Sequence, residues 1–500
     1  MAGVSSHTTQ NGAGTWCNVD EDNRMGVDRP GIHGELLPMT SDGTLTNDVS
    51  VGWLEGTLYW PTPFGWNVKN TTDEPLSDEA QSWLIARDSH NLIDRLRAVK
   101  YEGTLPTWHL INKVFQLAGL KYDYIFVIPL LFSAIGVILL FFTDAPLWSK
   151  IMLPFSFFVV YQNAVVARQY ALVFPAMMLI VIFYNKRFEV PVRYHLALFL
   201  LAITSSYGVV ITGSFMLWDF ICMLRKRFND PVYKMSIIPF FVTGFVIVVM
   251  SYLSLPPDDC SASLTQYSFT KNATNALLFN IDNSFAQYAF LAFVLILLIY
   301  YFRHRLVQFL VIFTPLILFM KVVYQREWHM TYLFCLIVSL MIIFKDDFKK
   351  TGRPAEKTGN YIAGGLVTVL LAVQCFTGLY SVYYDYKNVY SPSKEIAEFL
   401  RPYAESGAVI DRTGFNAVSV SPYFDDNLYS NDPYGKTYFV WSYAAPNDVL
   451  SEQYPDIVVA HEYIEGFESE YDIRIYDSHM IFKLDEVEIE PYIVYVKKKA

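Results

Sequence analysis

The chain has 500 residues, of which 53% are hydrophobic and 17% aromatic, and its formal net charge is −10. This composition excludes an ordinary soluble enzyme, because several stretches of about 18 apolar residues are long enough to cross a bilayer core. The acidity belongs to residues 383–500, which carry 21 acidic and 10 basic side chains. That excess argues against nucleic-acid binding. The five cysteines have no metal-ligand spacing, so no disulfide framework or zinc site is predicted.

The first 75 residues are rich in Gly, Asn, Asp and Thr and contain no segment apolar enough to span a membrane. They also lack the charged start and apolar run of a signal peptide. We therefore predict an irregular amino-terminal segment over 1–75 and assign it no function. Residues 76–121 are predicted to form a first extracytoplasmic loop that carries an acidic motif.

The acidic motif is the pair Asp78 and Glu79, which is followed by Glu102 in the same predicted loop. The acidic pair also has a purely structural interpretation, because Ser77, Asp78 and Glu79 are good residues for starting a helix. If the carboxylates converge at the membrane face, one takes a proton from an acceptor hydroxyl while another holds a divalent cation or orients the site. Residues 105–121 are apolar on one side only, and we predict a helix lying in the outer interface.

Residues 122–382 are predicted to form a transmembrane helical domain with ten spans, and orientation follows from the basic residues because cytoplasmic loops retain Lys and Arg. One set of alternate loops holds fifteen Lys and Arg, whereas the opposite short loops hold only Arg168, Lys271 and Arg326. This places Asp78 and the C-terminal tail outside. The predicted spans are 122–142, 151–162, 170–184, 195–209, 210–224, 235–253, 284–302, 306–324, 328–344 and 360–382.

Basic residues at the outer ends of spans are candidates for binding a phosphate. Arg168 is the only basic residue in its loop, and Lys321, Arg326 and His329 surround another outer boundary. Ionisable groups at membrane depth are costly and are functional candidates by default, although lysines also snorkel to lipid phosphates. A guanidinium with nearby donors suits a phosphodiester leaving group. A lone histidine such as His329 is otherwise most often a hydrogen-bonded structural residue.

The tail after residue 382 is predicted to be a soluble extracytoplasmic α/β domain over 383–500. Ser393 is a suitable cap for a helix through Tyr403, and Gly407 is expected to end that segment. The apolar runs 408–410 and 456–459 have the length and residue types of short buried strands. No nucleotide-binding glycine loop and no repeat of fixed period occurs in the sequence.

Three motifs together resemble the GT-C superfamily of integral-membrane glycosyltransferases, particularly the branch similar to protein O-mannosyltransferases and aminoarabinose transferases. They are the acidic motif Asp78-Glu79-Ala80-Gln81-Ser82-Trp83, the run Lys100-Tyr101-Glu102-Gly103 with Pro106 and Trp108, and Ala167-Arg168-Gln169-Tyr170-Ala171-Leu172. The similarity covers about 76–382. Relatives carry a His-Pro-Pro run after the glutamate, where this chain has Thr104-Leu105-Pro106, and a span before Asp78, which residues 1–75 do not provide.

The resemblance implies transfer of a sugar from a polyprenyl-phosphate carrier to an acceptor on the outer face, with inversion at the anomeric centre. By that analogy Asp78 is the catalytic base beside Glu79, and Glu102 is a metal ligand or an acceptor-orienting group. Arg168 and Tyr170 would line the donor site, while Arg326 and His329 would hold the carrier phosphate. A divalent metal (Mg²⁺, Mn²⁺ or Zn²⁺) at Asp78 and Glu102 is the only cofactor implied.

Two other classes of function remain open at this stage. A transporter or flippase of lipid-linked saccharides would share the spans, but it would be expected to carry charges near mid-bilayer and inverted repeats. An inactive relative with a structural role in the envelope would leave the outer carboxylates incidental. The acceptor is a lipid, a polysaccharide or a protein. The expected location is the bacterial cytoplasmic membrane, or the endoplasmic reticulum in a eukaryote.

Overall fold

The computed structural model describes residues 77–225, 231–261, 269–277, 283–322, 326–481 and 487–498, which belong to one compact unit. The predictions for residues 1–75 lie outside these ranges. Most of the described chain is helical, and a four-stranded sheet lies near the carboxyl end.

Three short helices precede the apolar region: α1 (Ser77–Asp88), α2 (Leu92–Tyr101) and α3 (Thr107–Leu117). Helix α2 is capped by Asn91, whose side chain accepts a hydrogen bond from the backbone N–H of Asp94. It ends because Gly103 follows it with φ +61°, a conformation that a side chain disfavours. Helix α3 occupies the predicted interfacial segment and is amphipathic, with His109 and Asn112 buried and Leu117 exposed.

In the part of the chain that the structure describes, thirteen α-helices of the apolar region follow in chain order, among them the short polar helix Lys345–Lys349. They are α4 (Val127–Phe142), α5 (Leu147–Met152), α6 (Val173–Tyr184), α7 (Pro191–Ala202), α8 (Ser206–Arg225), α9 (Pro231–Lys234), α10 (Ile237–Leu253), α11 (Phe269–Leu277), α12 (Ser284–Tyr301), α13 (Leu306–Val322), α14 (Met330–Ile343), α15 (Lys345–Lys349) and α16 (Pro354–Lys387). Within the described ranges, five segments are long and apolar enough to cross a membrane. These segments are Tyr122–Phe142, Ser206–Arg225, Ser284–Tyr301, Arg303–Val322 and Pro354–Lys387. The protein therefore has the helices of a membrane protein.

Five of the ten predicted spans coincide with these segments. Four others fall on shorter apolar helices, which are Gln169–Tyr184, Pro191–Ala202, Ile237–Leu253 and Glu327–Ile343. The count of ten therefore stays a prediction.

Two of the predicted spans or boundaries are wrong. Residues 151–162 are not one helix, because α5 passes into a short 3₁₀ turn containing Pro154 and then a π-helical turn at Phe157–Gln162. The predicted boundary between 195–209 and 210–224 is also wrong. The break lies at 203–205, where the Thr204 hydroxyl donates to the Leu201 carbonyl and the Ser205 hydroxyl accepts from Gly208 N–H, ending α7 and starting α8.

The two ends of the apolar helices carry different charged groups. Helix α6 begins after Arg168 and ends before Arg187, which forms a buried ion pair with Asp219 of α8 at 2.6 Å. Helix α14 begins after His329 and ends before Lys345, whose ammonium donates to the Asp144 carbonyl. Arg168 and His329 therefore lie at one end of these helices, and Arg187 and Lys345 lie at the other.

The residues after α16 form helix α17 (Ser393–Glu405) and a sheet of β1 (Ile410–Arg412), β2 (Ile457–Ala460), β3 (Tyr471–Ile481) and β4 (Val487–Lys497). The strand order is β1-β2-β4-β3, with β1 and β2 parallel and the other pairs antiparallel. The helix from Ser393 and the two short buried strands occur close to their predicted positions. Arg412, the last residue of β1, is buried, and its guanidinium contacts the Asp432 carboxylate at 2.9 Å.

Close helix packing at Gly378 gives a testable prediction about the bundle. A Cβ at Gly378 would lie 2.7 Å from the Phe155 carbonyl oxygen and 2.8 Å from the Phe157 nitrogen. Both are backbone atoms that cannot move aside easily. Gly378→Ala is therefore expected to lower the free energy of unfolding by about 1–3 kcal/mol, which is seen as a lower melting temperature. The control is Gly365→Ala on the same helix, where no atom lies within 4 Å of the added Cβ. Equal melting temperatures for the two variants would contradict this packing.

Candidate active site at the acidic helix

The acidic pair begins α1, but its two carboxylates have different surroundings. The Asp78 side chain is 53% exposed, and its Oδ1 lies 3.2 Å from Nη1 of Arg168. The same guanidinium nitrogen donates to the Asp78 backbone carbonyl at 2.8 Å. Residues 90 positions apart in the sequence are thus joined twice. The Asp78 carboxylate is therefore accessible to solvent, and the Arg168 guanidinium holds it in position.

Glu79, unlike Asp78, is buried, with 4% of its surface exposed. Its Oε1 accepts a hydrogen bond from the backbone N–H of Ala167 at 2.5 Å. Because Ala167 precedes Arg168, this contact holds the loop that carries the guanidinium. The structure therefore places Glu79 where it positions the loop, whereas Asp78 is the member of the pair that reaches solvent.

Glu102 lies at the carboxyl end of α2, and its Oε2 is 3.2 Å from Nε2 of His109 on α3. Burial raises the pKa of Glu102, but the hydrogen bond and charge of His109, the Arg168 charge and Gln81 outweigh burial. The net pKa is below its ordinary value, so the carboxylate is ionised at neutral pH. Asp78 contacts the Arg168 guanidinium directly, and Glu102 is close enough to interact with it electrostatically.

Arg168 is the residue on which the acidic groups converge. Burial lowers the pKa of its guanidinium, but Asp78, Tyr170, Glu102 and Glu79 together raise it above its ordinary value. The guanidinium is permanently charged, and only 15% of the Arg168 side chain is exposed to solvent. An anionic ligand that reaches Asp78 would also meet this cation.

Aromatic and basic side chains from the other predicted donor region lie beside this cluster. The Tyr170 hydroxyl is 3.5 Å from Nε2 of His329. The backbone N–H of Arg326 donates to His329 Nδ1 at 3.0 Å, so Nε2 carries the ring proton. The positive charges of Arg168 and Arg326 both act on the His329 ring. The ring of Tyr207 stacks on His329, with the centroids 4.7 Å apart.

Lys321 is the predicted site residue that the structure does not bring into this cluster. It is exposed at the end of α13 and has no hydrogen bond or ion pair with the other described residues of the site. Its assignment to a phosphate site stays a prediction.

The predicted metal site at Asp78 and Glu102 was tested against the donor atoms present. Asp78 faces the Arg168 guanidinium and Glu102 faces His109, whereas Mg²⁺ and Mn²⁺ prefer several converging oxygen ligands. Among the residues that the structure describes, no group of three or more His, Cys, Asp or Glu side chains could hold a metal ion. A divalent ion at Asp78 and Glu102 stays a prediction.

Three residues of the assembled site were not assigned to it from the sequence. His109 lies seven residues after Glu102, on the polar side of the predicted interfacial helix, and this spacing was the available signal. Tyr207 was indistinguishable from the tyrosines of an aromatic belt. Gln81 exchanges two hydrogen bonds of 2.8 Å with the backbone of Phe439. That contact is 358 residues distant, so no local pattern indicates it.

Comparison with known proteins does not extend this description. No protein-family model matches the chain, and neither a curated protein nor a solved structure is significantly similar to it.

Proposed function

We propose that the protein is a membrane glycosyltransferase that moves a sugar from a polyprenyl-phosphate donor to an acceptor on the extracytoplasmic face. The observation that carries the proposal is the Asp78–Arg168 contact, which puts a solvent-accessible carboxylate beside a sheltered guanidinium at one end of the apolar helices. A base and a phosphate-binding cation side by side are the two groups that displacement at a phosphate-linked sugar requires.

In the proposed reaction the acceptor oxygen attacks the anomeric carbon while the bond from that carbon to the phosphate oxygen breaks. The bonding electron pair goes to the phosphate oxygen, and the acceptor proton passes to the Asp78 carboxylate. Arg168, with Arg326 and His329, stabilises the negative charge that develops on the carrier phosphate. A single displacement of this kind inverts the anomeric centre.

The remaining acidic groups support this chemistry without taking the proton. Glu102 is ionised and paired with His109, and we assign it to orienting the acceptor and keeping the Arg168 guanidinium in place. Glu79 fixes the Arg168 loop through Ala167. These assignments leave Asp78 as the general base.

The site is proposed to face outward, because the loops at the opposite end of the helices hold most of the Lys and Arg residues. The membrane is proposed to be the bacterial cytoplasmic membrane, or the endoplasmic reticulum in a eukaryote. The acceptor is proposed to be a lipid, a polysaccharide or a protein.

The test is transfer or hydrolysis of radiolabelled sugar from a panel of polyprenyl-phosphate sugars by the purified protein in lipid nanodiscs. Asp78→Asn is expected to lower turnover by about 10²–10⁴-fold, because general-base catalysis contributes that amount. Glu102→Gln is expected to lower it less. The matched control is Asp472→Asn, which neutralises an exposed carboxylate in β3 and should leave turnover unchanged.

Other outcomes of this experiment would change the proposal. Donor binding without turnover by the wild-type protein would favour a transporter of lipid-linked saccharides or an inactive relative. Turnover that survives Asp78→Asn would remove Asp78 from the role of base. Loss of turnover with a chelator, restored by added Mg²⁺, Mn²⁺ or Zn²⁺, would assign a metal ion to the reaction.

A further inference from the structure

We propose that Asp259 is a positioning residue that keeps Glu102 in place in the site. It does so by joining Tyr101, the residue before Glu102, to the C-terminal segment around Ser442. Asp259 lies in the loop between α10 and α11, far in sequence from both partners. We call Tyr101, Asp259, Cys260 and Ser442 the clasp. The proposal rests on the proposed function, since it concerns the carboxylate that borders Arg168.

The first half of the clasp joins the α10–α11 loop to the end of α2. The Tyr101 hydroxyl lies 3.1 Å from each carboxylate oxygen of Asp259. The Cys260 thiol donates to the Tyr101 carbonyl, with sulfur and oxygen 3.1 Å apart. Both the side chain and the backbone of Tyr101 are therefore held from the same loop.

The second half joins that loop to the C-terminal segment. The Ser442 hydroxyl donates to Asp259 at 2.8 Å, and the Tyr443 N–H donates to the Asp259 carbonyl at 3.0 Å. Cys260 and Ser442 also pair as an isolated antiparallel bridge. The hydrogen bond from Ser442, helped by a weaker one from Tyr101, holds the pKa of the exposed Asp259 carboxyl below its ordinary value although desolvation raises it, so the acceptor of the clasp is ionised at neutral pH.

The position of Tyr101 decides why these contacts matter to the site. Glu102 follows it directly, and Gly103 then turns the backbone away with φ +61°. Between the end of α2 and α3, Glu102 N–H and Gly103 N–H bond to Val99 and Lys100, the Glu102 carboxylate contacts His109, and Leu105 is buried. The clasp adds the restraint on Tyr101 to these contacts. Releasing Tyr101 would let the Glu102 carboxylate move relative to Arg168 without disturbing an apolar core, because Asp259 itself is exposed.

The first experiment does not depend on any activity. Hydrogen–deuterium exchange is measured at the backbone amides of residues 99–103 in the wild type and in Asp259→Ala. We expect exchange in this segment to rise by about tenfold or more, which corresponds to about 1.4 kcal/mol of lost local stability. Unchanged exchange would overturn the proposal. Asp258→Ala, one residue earlier in the same loop, is the matched control and should leave exchange unchanged.

The second experiment measures turnover with the polyprenyl-phosphate sugar that the wild type uses. Asp259→Ala is expected to lower kcat about 10–100-fold while the KM for the donor and the melting temperature stay unchanged, because a small displacement of an orienting group slows the chemical step. Asp259→Asn keeps an acceptor for Tyr101 and should recover part of kcat. Unchanged kcat in Asp259→Ala, with exchange raised, would also overturn the proposal.

A reversible cross-link separates positioning from other effects of Asp259→Ala. Paired residues of an antiparallel bridge lie about 4.5–5.5 Å apart, within the range that a disulfide spans. In Asp259→Ala combined with Ser442→Cys, oxidation should join position 442 to Cys260 but leave kcat low, because the disulfide consumes the thiol that donates to the Tyr101 carbonyl and leaves the Tyr101 hydroxyl without Asp259. Recovery of kcat on oxidation would assign the effect to attachment of the loop and would contradict a role for the contacts with Tyr101. Asp259→Ala with Ser442→Ala should not respond to the oxidant.

These measurements distinguish the failure of each proposal. Absence of turnover by the wild type with every donor would contradict the proposed function and the catalytic role of the clasp together. Wild-type turnover with a clasp variant that is equally active would contradict the clasp alone.

Discussion

Arg168→Met is expected to lower sugar transfer by about 10²–10³-fold, the effect of removing one preorganised donor to a developing oxyanion. The guanidinium contacts both the backbone carbonyl and the carboxylate of Asp78, and it borders Glu102. In the proposed mechanism, Arg168→Met removes the cation that stabilises the leaving phosphate. It also removes the contact that holds the Asp78 carboxylate in position. The loss should therefore appear mainly in kcat, measured with saturating polyprenyl-phosphate sugar.

The control for this prediction is Arg168→Lys. A lysine keeps the charge but cannot contact two Asp78 oxygens and a phosphate with one planar group, so an intermediate rate is expected. Melting temperatures of both variants show whether the fold is retained. An Arg168→Met variant that stays within threefold of the wild-type rate, at an unchanged melting temperature, would contradict the role of Arg168.

Arg412→Met is expected to destabilise the sheet region by about 3–5 kcal/mol at pH 7.5, because it leaves the buried Asp432 carboxylate without its cation. Burial already raises the pKa of Asp432 to about 6 from an ordinary 3.8, with Arg412 offsetting part of the rise. The folded state therefore takes up a proton between about pH 6 and 4 that the unfolded chain does not bind. The contribution of Asp432 to stability increases as the pH falls through this range.

Removing Arg412 should raise that pKa further, so the cost of Arg412→Met should shrink when the pH is lowered from 7.5 to 5. Thermal unfolding followed by tryptophan fluorescence measures both effects. The double variant Arg412→Met with Asp432→Asn has no buried charge and should recover much of the stability at pH 7.5. A cost that is independent of pH would indicate that lost packing against Tyr429 and Phe439, rather than charge, dominates.

The long apolar runs were the part of the fold that the sequence specified best. Segments such as Ser284–Tyr301 are set by composition alone, since a bilayer core requires an uninterrupted run of apolar residues. Residues 151–162 and the break at 203–205 were placed wrongly. Pro154, which lacks an N–H donor, lies at the first break, and the hydrogen bonds of Thr204 and Ser205 decide the helix ends at the second. An average over a hydropathy window does not contain that information.

The site was predictable where a motif carried the chemistry and unpredictable where distant packing did. The sequence led to Asp78, Glu102 and Arg168, and the structure brings these three together. It did not separate the exposed Asp78 from the buried Glu79, because their difference depends on the Ala167 amide 88 residues away. The partner of Glu102, His109, required knowing how the chain turns at Gly103.

The bond between Gln81 and Phe439 also has a consequence for biosynthesis. The two residues are separated by 358 positions, so a ribosome working at 5–20 residues per second makes the second roughly 20–70 s after the first. During that interval helix α1 exists without the segment that buries its polar face. A nascent chain would thus hold its apolar helices before the hydrogen bonds between Gln81 and Phe439 that complete the packing of α1 can form.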